Sequence, residues 1–492
     1  MTIADKPILG EQIVVQAKRT GEISAENEDK SRFVKGCRRD QMKKDMECKS
    51  PLLYRSELLV DADYNQLNAG NLSAVPSKDV LKQVRAEERQ YEKLSDCVVR
   101  EVYAVKRTLE ILDTVSSSVK GYIQFIGYES FFINFCAEQI DLLTEACQKG
   151  DAFLYFDATG LSMKRPMDQP KRMYMYCLVL QSRRHTESIR VAEMLTNDHT
   201  TPSILNFLMR IRHALTKGRR YKNARKIETD FSFAMIHAAC RAFNSCDLVT
   251  YLTRCWDTIE NATTMPASLT VLHICAAHML KIIQRMIVQS TEESKKRKFW
   301  LYVLARLQTT SSLGTATSLI EDFTTVCRST FLNNRAIKAL DRLKAAVQMH
   351  ENDTESEDTT MHQTSHEDKE GTLRMMSPFY DYFNQVVSNA YVSYDTGEEN
   401  PFYNPKLVVK LVKDYLPFFP LWSGIHLSES RRNIHEGSSR DSNAVVERQF
   451  ATVKHDVLRK ERNINPGKAC RLLYVSAKGL AKYAVVSSRK KR

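Results

Sequence analysis

Residues 154–160 of this 492-residue chain read LYFDATG, an apolar run that ends on a carboxylate and a glycine turn. This order is typical of a buried strand that carries an acid, here Asp157, to the rim of a sheet. The alternative is an ordinary turn aspartate, because Asp and Gly are both common in turns. The stretch alone leaves both interpretations open, so the neighbouring patterns must decide between them.

The composition is that of a globular protein with an excess of positive charge. Hydrophobic residues make up 43% of the chain and charged residues 27%, and its length is too great for one compact core, so we expect two or three domains or a large insertion. The net charge of +13 favours a polyanionic partner, nucleic acid first and an anionic membrane surface second. No apolar run is long enough to cross a membrane and no signal sequence is visible, so we expect an intracellular protein with its 12 cysteines reduced.

The apolar patterns around this stretch predict a mixed α/β sheet. Three consecutive strands are expected to form an antiparallel meander, and a helix then leads to a fourth strand that runs into Asp230. If strands one and four are parallel neighbours, Asp157 and Asp230 emerge at the same edge of the sheet. Two aromatic segments at 122–127 and 131–135 are additional strand candidates. The five predicted strands cover residues 152–156, 173–181, 189–195, about 227 and 270–274.

A third acid, Glu447, lies on a predicted helix late in the sequence. Phosphodiester cleavage by two divalent metal ions needs carboxylates that hold the ions close together. Mg²⁺ and Mn²⁺ prefer oxygen ligands, which Asp and Glu supply and which Cys and His do not. Two acids at strand ends and a third on a helix across the sheet are suited to this chemistry.

Four motifs in this order resemble the catalytic core of DDE transposases. They are FDATG at 156–160, ETDFS at 228–232, the pair Cys275-x-x-His278, and SNAVVE at 442–447. The resemblance covers roughly residues 120–460 and is strongest to the Mutator-like group, with hAT and Kolobok elements as close alternatives. These families have a ribonuclease-H-like sheet that a helical insertion interrupts before the final Glu, and the long stretch between Asp230 and Glu447 fits that arrangement.

The resemblance implies an α/β fold, a ribonuclease-H-like mixed five-stranded sheet interrupted by a large all-α insertion, with a helical N-terminal region. The implied order begins with a basic, partly disordered arm (1–75), a helical region (76–120) and the first part of the catalytic core (121–284). It continues with a helical insertion (285–428) that contains a disordered acidic loop (352–371), and ends with the second part of the core and a basic tail (429–492).

The family's motifs carry residue roles onto this sequence. Asp157, Asp230 and Glu447 would be the catalytic acids and would hold Mg²⁺ or Mn²⁺. Cys275 and His278 would have a structural or DNA-positioning role near the site. Two such ligands one helical turn apart could also bind zinc, but no second pair is evident in the sequence.

Four basic residues close in sequence to the acids are candidates for contacts with DNA phosphates, namely Lys164, Arg165, Arg448 and Lys454. Each could instead be a solvated surface charge. Three further titratable residues near the predicted strands are expected not to be catalytic, namely Asp151, Glu228 and His237. His237 is expected to lie on the apolar face of the helix that follows Asp230 and to pack into the protein core.

The resemblance implies a DDE transposase, or a protein derived from one, that performs two-metal DNA strand cleavage and strand transfer. Its partners would be the transposon ends and the target DNA, with no membrane, and it would act as a homo-oligomer in the nucleus. The basic runs at 295–298 and 489–492 are compatible with nuclear import. The alternatives are a domesticated, catalytically inactive DNA-binding or chromatin-associated protein, and an unrelated α/β protein with coincidental acids.

Overall fold

A computed structural model of the chain divides into two compact units, Met1–Lys93 and Leu94–Arg492. Arg165, the predicted acidic loop up to residue 370 and the last two residues of the basic tail lie outside the described part of the chain. The structure describes residues 34–46, 49–68, 74–91, 95, 97–113, 119–127, 131–164, 171–182, 187–216, 222–291, 293–347, 371–394, 397–427 and 443–490.

The first unit is helical where it is described. Ser50 begins the second helix, because its hydroxyl accepts a hydrogen bond from the backbone N–H of Leu53 at 3.1 Å, and Pro51 occupies the first helical position. Helices therefore lie within the segment that the sequence led us to interpret as a basic arm. Their bounds are α1 (Cys37–Asp45), α2 (Pro51–Val60), α3 (Tyr64–Asn68) and α4 (Lys78–Tyr91).

The second unit is built on a mixed sheet of seven strands in the order β1-β2-β5-β4-β3-β6-β7. Its neighbours pair antiparallel from β1 to β3, whereas β3, β6 and β7 are parallel. The mixed α/β sheet and its antiparallel meander are thus confirmed. The strands are β1 (Ile123–Gly127), β2 (Phe131–Asn134), β3 (Phe153–Gly160), β4 (Tyr174–Gln181), β5 (Ile189–Thr196), β6 (Lys226–Thr229) and β7 (Val271–Ile274).

The sheet was predicted to have five strands, but it has seven. The aromatic segments that the sequence marked only as candidates form β1 and β2, and β2 joins the sheet by pairing antiparallel with β5 through Phe132↔Leu195 and its neighbours. Strands of four or five residues carry too little periodicity to be identified without their partners. The edge of the sheet is therefore set by pairing rather than by local pattern.

Strand β3 is almost uniformly apolar because both of its faces are covered. Phe153 and Tyr155 pack into one hydrophobic core, and Leu154 and Phe156 pack into the core on the opposite face. A strand with two covered faces does not show the alternation of a half-exposed strand. This explains why residues 152–156 read as a continuous apolar run.

Helices account for most of the rest of the second unit. The helices before the last strand of the sheet are α5 (Val98–Leu112), α6 (Ala137–Gln148), α7 (Thr201–Thr216), α8 (Phe233–Ala239) and α9 (Leu248–Glu260). Those after it are α10 (Ala276–Ser290), α11 (Ser294–Gln308), α12 (Leu313–Arg328), α13 (Asn334–Val347), α14 (Gly371–Met375), α15 (Pro378–Asn389), α16 (Pro405–Asp414), α17 (Phe419–Trp422), α18 (Ala444–Thr452) and α19 (Pro466–Lys490). Short π-helical turns follow α8 (Cys240–Asn244) and α18 (Val453–Val457), and 3₁₀ turns flank α17 (Leu416–Phe418 and Gly424–His426).

The insertion at 285–428 was predicted to be all-α, and its described part is not entirely so. A two-stranded antiparallel ribbon, β8 (Phe331–Leu332) with β9 (Glu398–Glu399), lies among its helices. Aromatic packing holds those helices together, with the rings of Trp300 and Phe323 5.1 Å apart. Within the part of the chain that the structure describes, none of the helices combines the length and hydropathy that crossing a bilayer requires.

A buried polar cluster attaches the last helix to the sheet. The Tyr122 hydroxyl donates to Glu193 Oε2 at 2.6 Å, and Arg190 Nη1 lies 3.6 Å from the other carboxylate oxygen of Glu193. Arg190 also donates to the Ser476 hydroxyl on α19 at 2.5 Å. Burial raises the pKa of Glu193 above its usual range, although Arg190 and the Tyr122 hydroxyl oppose this effect.

This raised pKa of Glu193 makes stability depend on pH. An acid whose pKa is higher in the folded state stabilises the fold fully below its unfolded pKa, about 4.3 for Glu, and loses that contribution as the pH rises through the folded value. We therefore expect the unfolding free energy of the wild type, relative to Glu193→Gln, to fall as the pH rises from about 4 towards 8. Denaturant unfolding of the wild type and of Glu193→Gln across this pH range measures the difference in unfolding free energy. A difference that stays constant with pH would contradict the assignment.

Candidate active site

Asp157 and Asp230 lie side by side at one edge of the sheet. Strands β3 and β6 pair in parallel, with Tyr155 opposite Glu228 and Phe156 opposite Thr229. The next position along each strand is Asp157 on β3 and Asp230 just after β6. The prediction that strand one ends at residue 156 was wrong, because β3 continues to Gly160 by pairing with β4 beyond Asp157. The parallel neighbours that the sequence hypothesis required are therefore present, and both carboxylates emerge at the same edge.

Asp157 is almost fully buried, with 6% of its surface exposed. The backbone N–H of Ala158 donates to Asp157 Oδ1 at 2.6 Å, and the Asp157 carboxyl interacts electrostatically with the Asp230 side chain. Burial and then the negative charge of Asp230 raise the pKa of Asp157 well above its usual range. The pair therefore favours a proton or a cation between its oxygens.

His278 supplies one positive charge to this edge. Its Nδ1 lies 2.6 Å from Asp230 Oδ1, which is an ion pair when the imidazole is protonated. Asp230 and then Cys275 raise the pKa of His278 to about 10, against the opposing effect of burial. The imidazole is therefore protonated at neutral pH.

Cys275 connects three parts of the site through its backbone and sulfur. Its backbone N–H donates to the Thr229 carbonyl at the end of β6 at 2.8 Å, and its Sγ accepts from the backbone N–H of Asn443 at 3.2 Å. It precedes α10, whose third residue is His278. The Cys275-x-x-His278 pair thus joins β6, α10 and the start of α18.

Glu447 reaches the site through His278. It lies in the first turn of α18, and its Oε1 is 3.9 Å from His278 Nε2, with 56% of the glutamate side chain exposed. The structure therefore brings the three predicted acids to one edge, with His278 between Asp230 and Glu447.

Asn443 contacts Asp230, a role that was not predicted from the sequence. Its side-chain Nδ2 donates to Asp230 Oδ1 at 3.0 Å, and the residue is fully buried. It precedes α18 but does not cap that helix with its side chain. The signal was present in the SNAVVE motif, where this asparagine lies four residues before Glu447.

The predicted basic residues differ in how close they lie to the acids. Lys454 Nζ donates to the hydroxyl of Thr159 at 2.5 Å, two residues beyond Asp157 on β3. Burial, and then the charge of Arg172, lower the pKa of Lys454. Lys164 and Arg448 are exposed.

Arg172 is a second residue that the sequence did not single out. A Cβ added to Gly160 at the end of β3 would lie 2.6 Å from the Arg172 guanidinium carbon, so this cation packs directly on the glycine. Arg172 and Lys454 together place two positive charges beside the strand end that carries Asp157.

The acids at this edge of the sheet offer oxygen ligands of the kind that a divalent cation binds. Two carboxylates in contact, one of them with a raised pKa, are hard oxygen donors with an excess of negative charge, which suits Mg²⁺ or Mn²⁺. Among the described residues, no group of three or more His, Cys, Asp or Glu side chains is placed to hold a metal ion. Asp157 and Asp230 therefore fit such an ion, whereas Glu447 contacts His278.

The three residues predicted to be non-catalytic lie elsewhere. Asp151 accepts a hydrogen bond from Ser182 at 2.7 Å, before β3 begins. Glu228 is buried against Lys226 at 3.0 Å. His237 is only half-buried and packs near the ring of Phe233 rather than deep in the core.

Comparison with known proteins gives one related sequence. No protein-family model matches the chain. The chain is 23% identical over 457 residues, 87% of its length, to the 120.7 kDa protein in the NOF-FB transposable element of Drosophila melanogaster, and it spans 40% of that protein. A structure of the Drosophila P element transposase strand transfer complex aligns with 90% of this chain and 91% of that chain, at 12% identity and a TM-score of 0.27. This chain is therefore similar to a transposable-element protein, and the Mutator-like, hAT and Kolobok subgroups stay predictions.

Proposed function

We propose that this chain is a DDE-type transposase, or a protein derived from one, that cleaves DNA strands and joins them to target DNA on a ribonuclease-H-like core. The observation that carries the proposal is that Asp157 on β3 and Asp230, just after β6, occupy neighbouring positions on two adjacent parallel strands and interact electrostatically. The similarity to a protein of a transposable element supports it.

Asp157 and Asp230 would hold Mg²⁺ or Mn²⁺, and Glu447 would complete the set of acids. When bound, such ions lower the pKa of the attacking water or hydroxyl and stabilise the leaving oxygen. The chain itself provides a buried acid, Asp157, beside the partly exposed Asp230, and charges interact more strongly in such a setting than in bulk water.

His278 and Asn443 orient the second acid. Both contact Asp230 Oδ1, the first by an ion pair and the second by a hydrogen bond, so the carboxylate has little freedom to rotate. Groups that fix a ligand carboxylate in this way affect metal affinity and activity although they touch neither metal nor substrate.

Positive charge beside the acids would bind the DNA backbone. Lys454 and Arg172 lie at the end of β3, and the exposed Lys164 and Arg448 lie close to the acids in sequence. Such contacts position DNA without reading its sequence. We propose the transposon ends and target DNA as partners, with a homo-oligomer in the nucleus as the working form.

A nicking assay on supercoiled DNA tests the proposal. The wild type should nick in Mg²⁺ or Mn²⁺ and not in EDTA, and Asp230→Asn should not nick in either metal. Salt-sensitive DNA binding without nicking would instead favour the catalytically inactive, domesticated alternative. A protein that does not bind DNA at all would exclude both functions.

Replacing Asn443 by alanine should slow nicking without preventing folding. The substitution removes the amide that donates to Asp230 at 3.0 Å, so we expect nicking to fall by roughly tenfold to a hundredfold. Titration of Mg²⁺ in the same assay should show a higher metal requirement. Unchanged nicking across the metal titration would show that Asn443 has no orienting role.

A further inference from the structure

A cavity of about 1040 Å³ opens at the edge of the sheet opposite the acids. Its lining includes residues just before three parallel strands, namely Gly150 before β3, Arg225 before β6 and Leu269 before β7. Asp157 lies at the other end of β3. The four steps from Phe153 to Asp157 span roughly 13 Å of extended strand, so a ligand in the cavity does not touch the acids.

Four cationic side chains line this cavity, Lys149, Arg212, Lys222 and Arg225. They come from the end of α6, from α7 and from the segment that leads into β6. Among the described residues that line the cavity, none is Asp or Glu. The positive charges therefore converge from three directions on one recess, and the described part of its wall contains no acidic side chain.

Three of these cations, Arg212, Lys222 and Arg225, donate hydrogen bonds to neutral groups. Arg212 Nη1 donates to the Ala242 carbonyl and to the Ser245 hydroxyl, each at 2.7 Å, and Lys222 Nζ donates to the Gln148 carbonyl at 3.1 Å. Lys149 is also ion-paired with Glu145 on its own helix. A carbonyl or hydroxyl partner fixes a guanidinium or ammonium group and does not itself carry a charge that would neutralise it.

Gly150 permits the closest of these contacts. Its backbone has φ +63°, and the Nε of Arg225 donates to its carbonyl oxygen. A Cβ on Gly150 would lie 3.3 Å from Arg225 Nη2. Backbone hydrogen bonds also fix Arg225 on both sides, to the Ala152 carbonyl at 2.9 Å and from Val271 at 3.1 Å, so the guanidinium projects from a rigid base.

We propose that this cavity binds phosphate groups. Its volume suits a small ligand or a short piece of backbone rather than a whole duplex. Guanidinium and ammonium donors match phosphate oxygens, and the wall also offers the hydroxyls of Thr263, Ser268 and Ser311. The phosphate belongs either to a nucleic-acid backbone or to a small phosphorylated molecule, and both have the chemistry that the cavity recognises.

Calorimetric binding of tripolyphosphate to the full chain in EDTA tests the inference, because EDTA removes metal-bridged binding at the acids. Lys149→Glu/Lys222→Glu should bind tripolyphosphate about tenfold or more weakly than the wild type. The matched control is Lys338→Glu/Lys344→Glu, which makes the same change in net charge at two exposed lysines of α13 and should bind like the wild type.

The same proteins distinguish the two sources of phosphate. If tripolyphosphate competes with a short single-stranded DNA and the cavity variant weakens both, the ligand is a nucleic-acid backbone. If only tripolyphosphate binding falls, it is a small phosphorylated molecule. Equal losses in the cavity variant and the α13 control, or no tripolyphosphate binding by the wild type, would overturn the inference. Asp157→Asn should bind tripolyphosphate in EDTA like the wild type. A failure of the proposed function can therefore be distinguished from a failure of this inference.

Discussion

Asp157→Asn is expected to abolish DNA nicking while leaving the fold at least as stable as the wild type. Asparagine keeps the size of the side chain but removes a carboxylate that would hold a divalent cation, so we expect nicking to fall by a factor on the order of a thousand or more. The same change relieves repulsion, because Asp157 is buried beside the charge of Asp230. Loss of activity would thus be separated from loss of structure.

Thermal denaturation with and without Mg²⁺ gives a second measurement for this variant. A cation that binds only the folded state raises the unfolding temperature, so Mg²⁺ should stabilise the wild type and not Asp157→Asn. Asp151→Asn is a matched control, because Asp151 lies before the start of β3, away from Asp230, and should retain nicking. Equal stabilisation of the wild type and Asp157→Asn by Mg²⁺ would place the metal elsewhere.

The second large effect is expected at Lys226, beneath the site. The residue is fully buried, and its ammonium lies 3.0 Å from Glu228 Oε2 and 5.6 Å from the ring centre of Tyr155. His273 on the neighbouring strand lies 3.9 Å from the same carboxylate oxygen. Lys226→Met removes the nearest positive charge from a buried carboxylate, so we expect a loss of about 3–5 kcal/mol of unfolding free energy.

Denaturant unfolding of a double-mutant cycle measures this effect. Lys226→Met/Glu228→Leu replaces both charges by apolar side chains and should recover most of the stability that Lys226→Met loses, because the desolvated carboxylate is also gone. If Lys226→Met lowers the unfolding free energy by less than about 1 kcal/mol, the Lys226–Glu228 ion pair does not hold this part of the sheet together.

The strand that the sequence identified best is the one with a long apolar pattern, whereas the predicted end of β3 at residue 156 fell four residues short of Gly160. Prediction placed β4 within a residue of its observed bounds, Tyr174–Gln181, because its apolar run is continuous and both its faces are buried. The short strands β1 and β2 remained ambiguous. Their place in the sheet depends on the pairing of β2 with β5, which no local pattern encodes.

The candidate site, like the sheet, could be predicted only in part from the sequence. Its residue types and their order along the chain were visible, since the motifs around Asp157, Asp230 and Glu447 could be read directly. The roles of Asn443 and Arg172 were not visible, because one is 213 residues from its partner Asp230 and the other acts by packing on a glycine. The cavity at the opposite edge was equally hidden, since its cations come from separate elements.

The sequence by itself determined which segments are apolar enough to be buried and which of them end on an acid, because these properties are local. Only the tertiary structure decided that β3 and β6 are parallel neighbours, so that the carboxyl groups of Asp157 and Asp230 interact. It also decided that His278 on α10 and Asn443, just before α18, meet at Asp230. Charges interact strongly only within a few ångströms in a buried setting. The LYFDATG stretch therefore supplied an acid on a buried strand, and its neighbours in space placed that acid beside a second carboxylate.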